Sequence, residues 1–229
     1  MLQQFGSGIW VHDGGSVTGA MGFHYPTRMA IVRLADGGML VWSPTALSDA
    51  LRAAVEALGP VQIIVAPNTL HHTFLGQWQA AFPRALIFGL PALQATRPDL
   101  RFDAELGAVP HQDWAVDLDQ VLLPATSVMT ELVFFHRPSG TVLFTDLLQN
   151  LPRDWYSGWR NVIARLDLMT EPEPAVPRKF RMAFGGKPGM RASIEQIIAW
   201  PAERVLMAHG TPVTADAPAF LQRAFAWLR

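Results

Sequence analysis

Short, nearly unbroken apolar runs alternate along this chain with Gly, Pro and polar clusters. VQIIVAP (61–67) is too short for a helix and lies between Gly59-Pro60 and Asn68. It predicts a strand buried on both faces, since a strand with one face in water would alternate apolar and polar residues. ALIFGL (85–90), TVLFT (141–145) and ERVLMA (203–208) read the same way. Helical spacing lies between these runs. Ser48 stands at an N-cap, and Leu51, Val55 and Leu58 follow as one apolar stripe that stops at Gly59-Pro60. Further helices are predicted around 74–82, 154–169, 193–200 and 217–228.

Two hairpins complete the pattern. RMAIVRLADGGMLVWSP (28–44) turns at Asp36-Gly37-Gly38, where glycine supplies the positive φ of a tight turn, and ELVFFHRPSGTVLFTD (131–146) turns at Arg-Pro-Ser-Gly. The stretch 109–124 predicts more strands, broken by polar turns. Alternate prolines in EPEPAVP (171–177) oppose helix and sheet alike and predict an irregular excursion. The strand–helix–strand order is that of a layered α/β fold. No repeat or linker divides the chain, so one domain over 1–229 is expected.

Composition acts mainly by exclusion. Half of the residues are hydrophobic and 16% are charged, enough for a large core. The low charge is what a homo-oligomer's covered surface would produce, although a two-layer core dilutes charge equally. A formal net charge of −1 argues against a nucleic-acid partner. With no cysteine, thiolate metal sites and cysteine nucleophiles are excluded. The start MLQQFGSGIWVHDGG is no signal peptide, and no run is apolar enough to span a membrane, so a cytoplasmic protein is expected.

Three apolar strands end at or just before metal-competent side chains. His71 and His72 follow the run 61–67, Asp146 follows 141–145, and His209 follows 203–208. In layered α/β folds the C-terminal ends of strands line the ligand crevice. Three imidazoles and a carboxylate suit Zn²⁺ or Fe²⁺, and an open position on the ion would activate water. The same residues would serve equally as a polar helix start and, at Asp146, as a turn cap.

The element order, with VAPNTLHHTFLGQW (65–78), LFTDLLQN (143–150) and RVLMAHGTP (204–212), resembles the metallo-β-lactamase superfamily. The resemblance implies an αββα sandwich, two mixed sheets flanked by helices, with metal at one edge. Pro67, Asn68, Thr69, Leu70, His71 and His72 fill the six places of the family's HxHxDH motif. Asp146 matches its bridging aspartate and His209 its last metal histidine. The departures are as specific. Pro67 and Thr69 replace two histidines, His71 replaces the aspartate, Thr126 or Ser127 stands where the third histidine belongs, and Ser43 replaces an early aspartate. One of the two metal sites is thus lost, which argues against the family's dinuclear β-lactam hydrolysis. The other survives as His71, His72, Asp146 and His209, a set for one Zn or Fe ion.

Glu131, at the start of its strand, is a candidate general base or support for the ligands, against the simpler reading of a solvated strand end. His136 is expected at the surface, and His24 in a loop. RKFRMAFGGKPGMR (178–191) holds five basic residues and no acid, so it is either a mobile lid over an anionic small-molecule substrate or a solvated loop. Two functions follow: a mononuclear metal-dependent hydrolase with Asp146 and Glu131 as catalytic residues, or a non-catalytic member whose eroded site serves ligand binding or structure.

Overall fold

The computed structural model describes residues 1–228. Seven strands form the first sheet in chain order: β1 (Gln3–Gly6), β2 (Ile9–Thr18), β3 (His24–Arg33), β4 (Met39–Trp42), β5 (Val61–Ala66), β6 (Leu86–Gly89) and β7 (Ala104–Glu105). Pairing is antiparallel as far as β4 and parallel from β4 to β7. The second sheet contains β8 (Leu118–Leu122), β9 (Leu132–His136), β10 (Thr141–Phe144) and β11 (Arg204–Met207), in the spatial order β11-β10-β9-β8. Its β10–β11 pair is parallel and the others are antiparallel.

Side-chain parity sets the layers, since successive residues of a strand point to opposite faces. Ala30, Val32, Leu40, Trp42, Ile63 and Val65 face inward and meet Leu132, Phe134, Leu143 and Leu206 of the second sheet. Their neighbours Met29, Ile31, Val41 and Ile64 face outward, against α1 (Asp49–Glu56) and α2 (Leu75–Ala81). On the other side Val133, Phe135, Val142, Phe144 and Val205 pack under α5 (Arg178–Phe184), α6 (Met190–Ile198) and α7 (Ala217–Ala224). Both faces of the central strands of both sheets are covered, whereas β1 and the second half of β2 remain largely exposed. The result is the expected αββα sandwich, and it explains why the central strands read as unbroken apolar runs.

Most predicted elements stand where expected. Ser48 caps α1, its hydroxyl accepting the Leu51 N–H at 3.2 Å. Three segments differ. Only 118–122 of the stretch 109–124 forms an extended strand. The predicted helix 154–169 is confined to α4 (Gly158–Leu166). The first half of the basic segment is helical: α5 runs to Phe184, with Phe180 and Phe184 anchored in the core. A seventh helix, α3 (Pro91–Thr96), starts at a proline, which is tolerated where no N–H partner is needed.

Candidate metal centre

Parallel pairing brings four strand ends to one edge of the sandwich. β4 delivers Ser43, β5 delivers Asn68, and β10 and β11 deliver Asp146 and His209. Ligand atoms of His71, Asp146 and His209 lie within 4.8 Å of one another. His71 Nε2 stands 3.2 Å from Asp146 Oδ2, and His209 Nε2 stands 3.2 Å from Asp146 Oδ1.

Each imidazole is fixed through its other nitrogen. His209 Nδ1 is 2.6 Å from the carbonyl of Pro26. A carbonyl only accepts, so Nδ1 donates to it and Nε2 is the nitrogen turned towards the Asp146 carboxylate. At that distance the pair is bridged by a proton on Nε2 or, where Nε2 is unprotonated, by a cation. His71 Nδ1 likewise pairs with the Ser43 hydroxyl at 2.7 Å. Histidines held through the second nitrogen by a carbonyl or hydroxyl are what a metal site requires, so the donor set fits an ion.

Asp146 is nearly inaccessible. Burial opposes its ionisation, but the two histidines outweigh burial and hold the carboxyl well below the usual carboxylate range. Asn68, fully buried, donates its side-chain amide to Asp146 Oδ2 at 2.5 Å. Its own Oδ1 accepts the backbone N–H groups of Leu70 and His71 at 2.9 and 2.7 Å. The turn carrying His71 is therefore tied to the carboxylate that His71 faces. Nothing but an amide in an apolar strand exit signals this in the sequence.

Next to His209, Gly210 has φ +99°, and a Cβ there would collide with the carbonyl of Asn150. The backbone N–H of Asn150 donates to the His209 carbonyl at 3.1 Å, and Arg28 donates to the carbonyls of Met207 and Gly210. The glycine of the His-Gly pair is there for this close approach.

Several sequence expectations need correction. His72 does not join the cluster: its Nδ1 lies 2.6 Å from Arg97 Nη1, because the turn after Asn68 sends neighbouring side chains apart. Burial, with the Arg97 charge next, lowers its pKa. Glu131 is neither solvated nor open to a substrate. It is fully buried, and its carboxylate accepts the N–H groups of Thr145 at 2.7 Å and of Asp146 and Leu147 at 3.0 Å. Burial, followed by the charge of Asp146, pushes its pKa up to about 7. It shapes the Asp146 turn and is out of reach as a general base. His136 is fully buried at the opposite end of β9, with Nδ1 2.7 Å from Ser139 Oγ. His24 opens β3 and packs against Trp155 and Tyr156.

A cavity of about 410 Å³ opens onto His71, Asp146 and His209. Tyr25, against the His209 ring, Ser43 and Gln149 also line it. Burial, aided by the charges of Asp146 and Asp167, pushes the Tyr25 phenol up to about 12, so it stays a neutral donor. Among the described residues no helix is long and apolar enough to cross a membrane.

The family described as "Domain of unknown function (DUF4336)" matches residues 8–157. No curated protein matches the chain. Among solved structures, a metallo-β-lactamase from Pontibacter korlensis superposes with a TM-score of 0.65 at 13% identity, covering 100% of this chain and 98% of that one. One from Hirschia baltica gives 0.62 at 13% identity, with 100% and 97% covered. A metal-soaked flavodiiron core from Synechocystis sp. PCC6803 gives 0.65 at 11% identity, covering 100% of this chain and 60% of that one. At such identities the likeness establishes the fold, which is that of the metallo-β-lactamases.

Proposed function

Because this chain belongs to the DUF4336 family and carries the metallo-β-lactamase fold, we propose that it is a metal-dependent hydrolase using one ion. The observation that carries the reading is the convergence of His71, Asp146 and His209, with both histidines fixed through their second nitrogens. These three residues would hold the ion, with His72 excluded from the set. When bound, zinc or iron supplies Lewis acidity, which polarises a carbonyl or phosphoryl oxygen and makes water a better nucleophile.

The chain's own residues do the rest. Ser43 and the Pro26 carbonyl hold the ligand rings in one orientation. Asn68 keeps Asp146 facing both histidines. The neutral Tyr25 phenol offers a proton donor on the cavity wall. Metal analysis of protein purified without a metal-capturing tag tests the reading. It predicts no more than one tight equivalent of zinc per chain, and hydrolysis of ester or amide probes that is lost on chelation and restored by metal.

One observation favours a second reading. Ser43, His71 and Asp146 also stand in the order of a serine hydrolase relay, and Ser43 has φ +54°, an uncommon conformation for a residue with a side chain. Hydrolysis that survives chelation but disappears in Ser43→Ala would select this reading.

A further inference from the structure

The cavity beside the three ligands has the size of a small-molecule site, for which ~300–1,000 Å³ is usual. Its walls are largely apolar. Val17, Ala20, Leu70, Phe74, Val128 and Phe180 line it. Leu70 and Val128 are 48% and 47% exposed, so the apolar wall continues to the mouth. The one lysine or arginine among the described lining residues is Lys179. Its Nζ lies 3.5 Å from Asp167 Oδ2, 3.7 Å from Met169 Sδ, and 5.1 and 5.8 Å from the ring centroids of Phe180 and Tyr25, and its side chain keeps 39% of its surface exposed for a further partner.

We propose that the cavity takes a monoanionic amphiphile, with an acyl or aryl group against Val17, Leu70, Phe74 and Val128 and a single carboxylate-like charge at Lys179. That the ligand is also the substrate rests on the hydrolase reading; its binding does not. The wall chemistry separates this class from others. A polyphosphate needs several cations, and the wall offers one. A sugar needs a dense set of hydrogen-bonding partners, whereas most of this surface is hydrocarbon and aromatic. A cationic amphiphile would meet the Lys179 ammonium, while the one lining carboxylate, Asp146, is already turned to His71, His209 and Asn68.

The test is calorimetry on the full chain treated with a chelator, using decanoate, decanol and decyltrimethylammonium as probes. Decanoate is expected to bind tightest. Lys179→Gln should weaken decanoate about fivefold, the scale of a partly exposed ion pair, and leave decanol unchanged. Lys179→Arg should restore it, and Val128→Asp should weaken both decanoate and decanol. Decanoate binding no tighter than decyltrimethylammonium overturns the proposal, as does an unchanged decanoate affinity in folded Lys179→Gln. If that variant does not fold, the three-probe ranking on the native chain decides alone. Metal uptake is measured separately. A chain that ranks the probes as expected but never takes up an ion keeps the amphiphile site and loses the metal reading. A chain that holds one ion but fails the ranking loses the amphiphile site alone.

Discussion

Asn68 donates its side-chain amide to Asp146 Oδ2 across 78 residues of sequence, while its own oxygen receives the backbone N–H of His71. One buried amide thus joins the ligand-bearing turn of the first sheet to the carboxylate of the second. Asn68→Ala should strand Asp146 and two backbone donors. Urea unfolding is expected to show a loss of about 2–3 kcal/mol, the cost of leaving buried polar groups unpaired, together with weaker metal retention. A variant as stable as the native chain would show that water replaces the amide.

The two neighbouring histidines should separate cleanly. His71→Ala and His209→Ala are each expected to abolish tight metal binding, whereas His72→Ala, whose native ring faces Arg97, should keep it. Metal stoichiometry of the three purified variants is the measurement. Loss of the ion in His72→Ala would show that its ring swings into the cluster when metal is present.

Gly210 tests how closely the second sheet must pack around its ligand. A methyl group there collides with the Asn150 carbonyl at a backbone conformation that side chains rarely adopt. Gly210→Ala should lower the thermal midpoint by several degrees, the shift expected for a loss of ~1–2 kcal/mol in a chain of this size, and should displace His209. Unchanged stability and metal affinity would mean the loop relaxes freely.

His136 sets a pH dependence far from the metal ligands. Burial lowers its pKa from 6.5 to about 4, so the folded state excludes the imidazolium. The unfolded chain gains a proton near pH 6.5 and the folded chain does not until about 4. This contribution is therefore complete above pH 6.5 and is lost as pH falls towards 4, by about 3 kcal/mol in all. Glu131 acts in the opposite sense. Its folded pKa of about 7 lies above the ordinary 4.5, so stability falls as pH rises through that interval. The two partly cancel, and the informative quantity is the difference between native and His136→Phe unfolding curves across pH 4–7. Parallel curves would mean that His136 titrates normally in the fold.

The layers were legible in the sequence because burial on both faces leaves a plain mark: β5, β10 and β11 each hold at least three successive apolar residues, 63–66, 142–144 and 205–207, and each is followed within two residues by a polar one. Caps and hairpins were legible for local reasons, as at Ser48 and Asp36-Gly37-Gly38. Contacts between distant segments were not. His136 sits beside an Arg-Pro-Ser-Gly turn that reads as exposed, yet its ring is fully buried, close enough to Gly8 that a side chain there would touch it. Glu131 reads as a strand end, but the N–H groups that hold it come from the far side of the hairpin. His71 and His72 are equivalent as letters. Only the turn fixed by Asn68 decides which of them meets Asp146.

The candidate ligands also divide between the layers: His71 follows β5 of the first sheet, while Asp146 and His209 follow β10 and β11 of the second. An ion held by all three is a rivet through the sandwich, since the sheets cannot part without releasing it. Occupancy and folding then become one coupled equilibrium. At a free ion concentration a hundredfold above its Kd, the folded state gains about 2.7 kcal/mol. Metal supply would in that way set how long the chain survives as well as how fast it works.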